Sequence, residues 1–269
     1  MTDFISPFEK RSFWGCIRAT FSFLAQNSFL ILGLLLPFLL IFSFLVLWLG
    51  TLDEKLGQIN YSTFLWFIPF SVVSLYVAHQ GNLLSVKSKE VMASLGSAFC
   101  KMFIASFVVF VALAGPLFFL MVISGMFKIN SLYPIILFAL YLIVLIPYIF
   151  MYYCHCCFSS KYSDFLDSLE ASFKLVKGHW WITFGYLVLV FLFTSLLIVL
   201  FSLLLVIICP DPTFVVLVLS PISLLVEFAS LIAVIYHYGH LRALKQESVQ
   251  EIDIFSLQQD KEHSVNDAE

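Results

Sequence analysis

TFGYLVLVFLFTSLLIVLFSLLLVII runs from Thr183 to Ile208 without a charged side chain. As a helix rising about 1.5 Å per residue it is ~39 Å long, enough to cross a hydrocarbon layer of about 30 Å. Four further runs are long and apolar enough: Phe29–Leu49, Met102–Ile123, Leu132–Tyr153 and Phe214–Tyr238, the last interrupted by Glu227. A sixth, Tyr61–Leu84, is broken after Ala78 by His79, Gln80 and Asn82. It is counted because the chain must return between Leu49 and Lys87. The chain is 61% hydrophobic and 12% charged, against about 25% charged in an ordinary soluble domain. That composition excludes a water-soluble globular fold and predicts an all-α integral membrane protein of six transmembrane helices.

Basic residues in short loops stay on the cytoplasmic side. Lys10, Arg11 and Arg18 precede span 1; Lys87, Lys89 and Lys101 fall between spans 2 and 3; Lys161, Lys174 and Lys177 fall between spans 4 and 5; Arg242, Lys245 and Lys261 follow span 6. Of the 14 basic residues only Lys55 and Lys128 occupy the alternate loops. Both termini are therefore expected in the cytoplasm, and for a bacterial cell the location is the inner membrane, crossed several times. Tryptophans favour the headgroup level; Trp14, Trp180 and Trp181 mark the inner boundary, Trp48 and Trp66 the outer. Asp3 and a first apolar run starting only at Phe29 argue against a cleaved signal. Residues 1–245 read as one transmembrane domain. The stretch 246–269, rich in acidic side chains from Glu247 to Glu269, reads as a disordered cytoplasmic tail. On this topology every cysteine except Cys209 faces a reducing compartment, and no structural disulfide is expected.

The domain is internally repetitive. Ala19-Thr20-Phe21 recurs as Ser97-Ala98-Phe99 and as Ala171-Ser172-Phe173, at two nearly equal shifts along the chain. A proline follows each of these phenylalanines at one and the same distance, at Pro69, Pro147 and Pro221. Such prolines remove a backbone donor and bend a helix. The same shifts carry Trp14, Ile17, Phe21 and Leu24 onto Met92, Leu95, Phe99 and Met102, and then onto Leu166, Leu169, Phe173 and Val176. That spacing lays apolar side chains on one helix face. The predicted unit is an amphipathic helix followed by two spans, over about 8–86, 87–160 and 161–245. Two crossings per unit give all copies one orientation, so the axis relating them is a pseudo-threefold along the membrane normal. Arg18, Lys101, Lys174 and Lys177 are the candidate interfacial basic residues, placed to meet anionic headgroups.

The stretch DFLDSLEASFKLVKGHWWITFGYL, Asp164 to Leu187, resembles the membrane domain attached to some bacterial glycerophosphodiester phosphodiesterases and found in related uncharacterised multi-pass inner-membrane proteins. The likeness lies in a short amphipathic helix, the Lys177-Gly178 turn, aromatic residues and Gly185 early in the next span. The segment Tyr236-His237-Tyr238-Gly239-His240-Leu241-Arg242 also resembles the tyrosine-rich helix end of that group. No soluble stretch is long enough for the catalytic barrel, so the resemblance implies no hydrolase activity.

Chemistry-bearing constellations are sparse. The sequence has no nucleophile elbow, phosphate loop or His-Glu-x-x-His. Cys154, Cys156 and Cys157 surround His155, yet on a helix only Cys154 and Cys157 share a face, short of the four ligands of a structural zinc site. No metal, cofactor or nucleic-acid partner is expected. Ser220, Ser223, Glu227, Ser230 and His237 repeat at intervals of three, four, three and seven, one stripe of span 6 with Glu227 near mid-membrane. A polar stripe must turn from lipid, so it is expected to face hydroxyls of span 5 such as Tyr186 or Thr194. The leading expectation is a non-enzymatic protein that organises membrane lipids or other membrane proteins through its amphipathic helices. A small-solute or proton-coupled transporter with a path between the repeats is the alternative.

Overall fold

The computed structural model describes residues 5–28, 67–81, 86–126, 132–158, 165–209 and 211–245, with Ile31, Gly33 and Phe44 individually helical. Apart from those three residues the expected first span lies outside the described residues, as does the acidic tail. Among those residues the chain forms seven helices and no strand: α1 (13–28), α2 (Phe67–Ala78), α3 (Ser88–Met126), α4 (Leu132–Phe158), α5 (Phe165–Val176), α6 (Trp180–Ile208) and α7 (Pro212–Leu244). Four stretches, Ser88–Ile123, Ile135–Phe158, Trp180–Ile208 and Pro221–Leu244, are long and apolar enough to cross a membrane. This is the architecture of a membrane-embedded protein. The described part of the second expected span, α2, is a shorter apolar helix of 12 residues.

The helices do not contribute equally to the core. In the apolar window of α7, 67% of residues are buried inside the protein, against 0% for α3 and 6% for α6. α2 is apolar on every side and buried from Ile68 to Val73, as a helix surrounded by protein must be. α2, α4 and α7 each touch the other two. Their shared core includes Val73, Met151 and Ile232, none of which is exposed. Much of α3 and α6 presents apolar side chains outward, Phe107, Phe118, Leu192 and Leu203 among them.

The first turns of α3 run antiparallel to α2, α5 packs on α4, and α1 packs on α7 at Tyr236. Ser71 of α2 and Ser94 of α3 hold their hydroxyls 2.6 Å apart, and Phe67 meets Phe99 edge-on at 5.4 Å. Tyr148 of α4 packs on Phe173 of α5 at 4.4 Å. Cys16 of α1 directs its thiol at the Tyr236 carbonyl of α7, and Phe23 lies 6.1 Å from the Tyr236 ring.

The packed face of these segments takes in only part of the apolar stripe read from the sequence: Leu95 and Val176 are buried and Ile17, Leu24, Met102 and Leu169 pack against the core. Beside them runs a row of small residues spaced by four: Cys16 and Thr20, Ser94 and Ala98, Ser168 and Ser172, all buried. Small side chains let two helix backbones approach closely, which is how helices associate where lipid already solvates apolar groups. The aromatic members of the stripe turn outward, leaving Phe21, Phe99 and Phe173 at 57%, 49% and 41% exposure.

Chain reversals follow from local chemistry. After α2, Gln80 and Gly81 adopt positive φ (50° and 89°), and the Gly81 N–H bonds the Tyr76 carbonyl at 2.8 Å, closing the helix end. His79 and Glu90 then pair at 3.0 Å across the turn. Between α5 and α6 Gly178 has φ 87°, a conformation that glycine adopts without penalty. α3 has no such break. Its amphipathic turns and its span are one helix of 39 residues, ~58 Å at 1.5 Å per residue. Pro116, Pro147 and Pro221 lie inside continuous helices, whereas Pro69 lies in the first turn of described α2. Pro147 removes the donor that would serve the Ile143 carbonyl. One residue on, the Val144 carbonyl accepts the Trp180 indole N–H at 3.1 Å, tying the start of α6 to α4.

Candidate functional site

The polar stripe of α7 runs beside α6. Ser230 and Thr194 share a hydroxyl–hydroxyl hydrogen bond, and their oxygens also lie 2.9 and 2.8 Å from the Val226 and Val190 carbonyls of their own helices, so one hydroxyl donates to its carbonyl and the other to its partner. Two turns on, the buried His237 ring stacks on Tyr186 at 4.3 Å, with Nε2 3.4 Å from the Thr183 hydroxyl. Tyr186 donates to the Ala233 carbonyl at 3.0 Å. Glu227 and Ser223 are half-buried on the same helix, and the Ser220 side chain lies outside the described residues. The structure therefore brings Ser230 and His237 together with Thr194, Thr183 and Tyr186.

The four basic residues assigned to the interface divide. Arg18, Lys174 and Lys177 are exposed. Lys101 is instead buried at 8% exposure, near Cys156 and Cys157. Its register explains the difference. Lys101 is equivalent to Phe23 and Leu175, both buried, and so falls on the small-residue face that packs inward. Lys174 bonds Glu170 at 2.7 Å one turn away. That hydrogen bond and its charge lower the Glu170 carboxyl and raise the Lys174 ammonium.

A second polar cluster lies where the central helices end. Residues 5–11 close this basic end and touch all three. The Ile5 N–H donates to the Tyr76 hydroxyl of α2 at 3.0 Å, and the Tyr236 hydroxyl of α7 donates to the Ile5 carbonyl at 3.1 Å. Phe8 is buried edge-on against Phe158 of α4, 5.8 Å between centroids. The Arg11 N–H donates to His240 Nδ1 at 2.9 Å, while its guanidinium lies over the Tyr236 ring and pairs with Glu9 at 2.6 Å. Gly239 makes this seat possible, because a Cβ there would fall 2.1 Å from the Pro7 carbonyl oxygen. Alongside, His155 and Arg242 both reach the Tyr238 hydroxyl, at 3.1 and 3.4 Å. Nothing in the sequence pattern marks residues 5–11 as a packed element. A glycine inside a helix pattern, Gly239, is the one signal of a close approach.

The buried thiols are shielded by their environment. Cys16, Cys154, Cys156 and Cys157 are buried and Cys100 is exposed. Burial pushes the Cys16 thiol up to about 11, against the opposing charge of Arg11. Among the described residues no three His, Cys, Asp or Glu side chains are grouped to hold a metal ion.

A groove of about 940 Å³ opens between α1, α6 and α7, lined by apolar residues from Leu24 and Leu197 to Gly185 and Ala233. Thr20, Thr194 and Ser230 reach its wall, but their hydroxyls already bond backbone carbonyls or each other.

No protein-family model, curated protein or solved structure matches the chain.

Proposed function

We propose that this is a non-enzymatic, six-span protein of the bacterial inner membrane, with both termini cytoplasmic, that organises membrane lipids or partner proteins from the cytoplasmic face. The observation that carries the reading is the outward presentation of Phe21, Phe99 and Phe173 by three helices whose small-residue faces are buried in the same register. A pseudo-threefold repeat would place three such aromatic ridges around one axis, at the depth where basic residues and tryptophans meet headgroups. The resemblance to the phosphodiesterase-associated membrane domain supports a membrane module that carries no catalytic centre of its own.

Transport is the second reading. It is favoured by the meeting of α2, α4 and α7 and by the half-buried Glu227, since ionisable groups within spans often mark a pathway. Reconstitution separates the two. Lipid retained on the purified protein, with no solute or proton flux in liposomes, is the expected result, and flux would overturn the organising role. For the topology, a reporter active only outside the cytoplasm should work when fused at Lys128 or Asp211 and fail at Lys89 or Lys245. Activity at Lys89 would remove the six-span arrangement.

A further inference from the structure

We propose that the groove between α1, α6 and α7 is a glycerophospholipid site, with one acyl chain along the groove and the phosphate on the Arg18 guanidinium. The proposal rests on the lipid-organising reading and gives it a location.

Size and lining come first. A volume of about 940 Å³ lies within the roughly 300–1,000 Å³ of small-molecule sites. The wall is apolar over its whole length, and its few hydroxyls are satisfied by backbone carbonyls or each other, so nothing in it solicits a polar ligand. In a protein of this class such a groove meets lipid chains, not water.

Charge supplies the second argument. Trp14 and Phe21 both line the groove from α1 and are largely exposed. The exposed Arg18 lies between them, one turn after Trp14 and one turn before Phe21, and so borders the same face. Helix side chains lean toward the N-terminus, which carries the guanidinium toward the Trp14 end, where a headgroup would lie. Its long stem can follow the apolar wall while the charged end reaches a phosphate. Unlike Lys174, which is engaged by Glu170, Arg18 has no acidic residue one turn away on its own helix, at residues 14, 15, 21 or 22.

Gly185 supplies the third. It lines the groove, and a Cβ built there meets nothing within 4 Å. The absent side chain relieves no clash with protein; it leaves the groove open. A larger residue at this position should fill the site without disturbing the fold.

Native mass spectrometry of the purified full chain, incubated with dioleoyl phosphatidylglycerol or with dioleoylglycerol, tests the assignment. Wild type should bind the phospholipid in preference to the diacylglycerol. Gly185→Leu and Val188→Trp, each with wild-type thermal unfolding, should bind the phospholipid at least tenfold more weakly. Arg18→Gln should keep chain binding and lose the preference. Undiminished phospholipid binding by both filled variants overturns the site, as does a lipid-free dimer in which a second copy occupies the groove. An unchanged preference in Arg18→Gln overturns the headgroup contact. The two readings fail separately: liposome flux with lipid still bound defeats the organising role and leaves the site standing, whereas loss of lipid binding without flux defeats only the site.

Discussion

Replacing Gly239 by alanine should release residues 5–11 while leaving the helices folded. The new Cβ would lie 2.1 Å from the Pro7 oxygen and 2.7 Å from its carbonyl carbon. Both are backbone atoms, so no side-chain rotation can relieve the overlap. The alternatives are to move α7 or to move the segment. α7 is held on both sides by buried side chains from Leu224 to Leu241. The segment is held by the Ile5 bonds to Tyr76 and Tyr236, the Arg11 bond to His240, and Phe8. Three hydrogen bonds at about 0.5–1.5 kcal/mol each and one phenylalanine at roughly 1.5–3 kcal/mol are forfeited on release. Recovered chain freedom in the released residues opposes that loss. Detachment is therefore the easier response. Hydrogen exchange should show the Ile5 and Arg11 amides losing protection at least tenfold, with central α7 amides unchanged. Trypsin should cut faster after Lys10 and Arg11. Gly185→Ala is the control, because its Cβ meets nothing, and it should gain up to about 1 kcal/mol from helix propensity. Wild-type protection of Ile5 and Arg11 in Gly239→Ala, or collapse of the whole bundle, would refute the reasoning.

Maleimide at pH 8 should label the exposed Cys100 and spare Cys16, whose thiol is held neutral by burial. The folded thiol is raised above its unfolded value, so this contribution to stability is complete below the unfolded pKa of about 8.5 and is lost as pH rises through about 11. Peptide mapping of labelled protein across that range reads the transition, and equal labelling of both residues at pH 8 would contradict the packing of α1 on α7. At the α2–α3 contact, Ser71→Ala or Ser94→Ala strands a buried hydroxyl partner and should cost about 1–3 kcal/mol singly. The double replacement should cost less than the two losses added, a coupling that a thermal-unfolding double-mutant cycle measures; strict additivity would mean that the hydroxyls do not interact.

Run length and charge reveal the helices of this protein more readily than the way they pack. Thr183–Ile208 announces a helix because so long a run without charge leaves little else to build in lipid. The Lys177-Gly178 turn is legible because only glycine takes its φ of 87° without penalty. Which face of α1, α3 or α5 meets protein is harder to read, because hydrophobic periodicity marks the face that avoids water, and lipid satisfies that need as well as a protein core does. Within the stripe, Leu95 and Val176 are buried while Phe21, Phe99 and Phe173 are not, so the rest of the packed face is written in residue size. Cys16 and Thr20, Ser94 and Ala98, and Ser168 and Ser172 stand in the sequence as small residues four apart. Lys101 shows where charge alone misleads: its sign suggests a headgroup contact, whereas its register buries it. The seat of residues 5–11 depends on pairing the first described residues with the last helix, as Ile5 does with Tyr236. No local pattern responds to a partner so distant in the chain.

That seat also bears on the choice between organising and transport readings. If a path ran along the junction of α2, α4 and α7, residues 5–11 would close its basic end, since they contact Tyr76, Phe158 and Tyr236 together. Releasing them by Gly239→Ala should then raise flux into liposomes above the wild-type level. The organising reading predicts otherwise, because the shared core contains Val73, Met151 and Ile232 at 0% exposure. Apolar side chains buried against one another there offer no polar lining for a file of water or ions, whether or not the segment is in place. The two measurements belong on one preparation. Where hydrogen exchange proves that residues 5–11 have detached and flux of protons and small solutes still equals that of empty vesicles, the axis is not a path. Flux that appears only in the detached variant would assign the segment as a gate and displace the organising role.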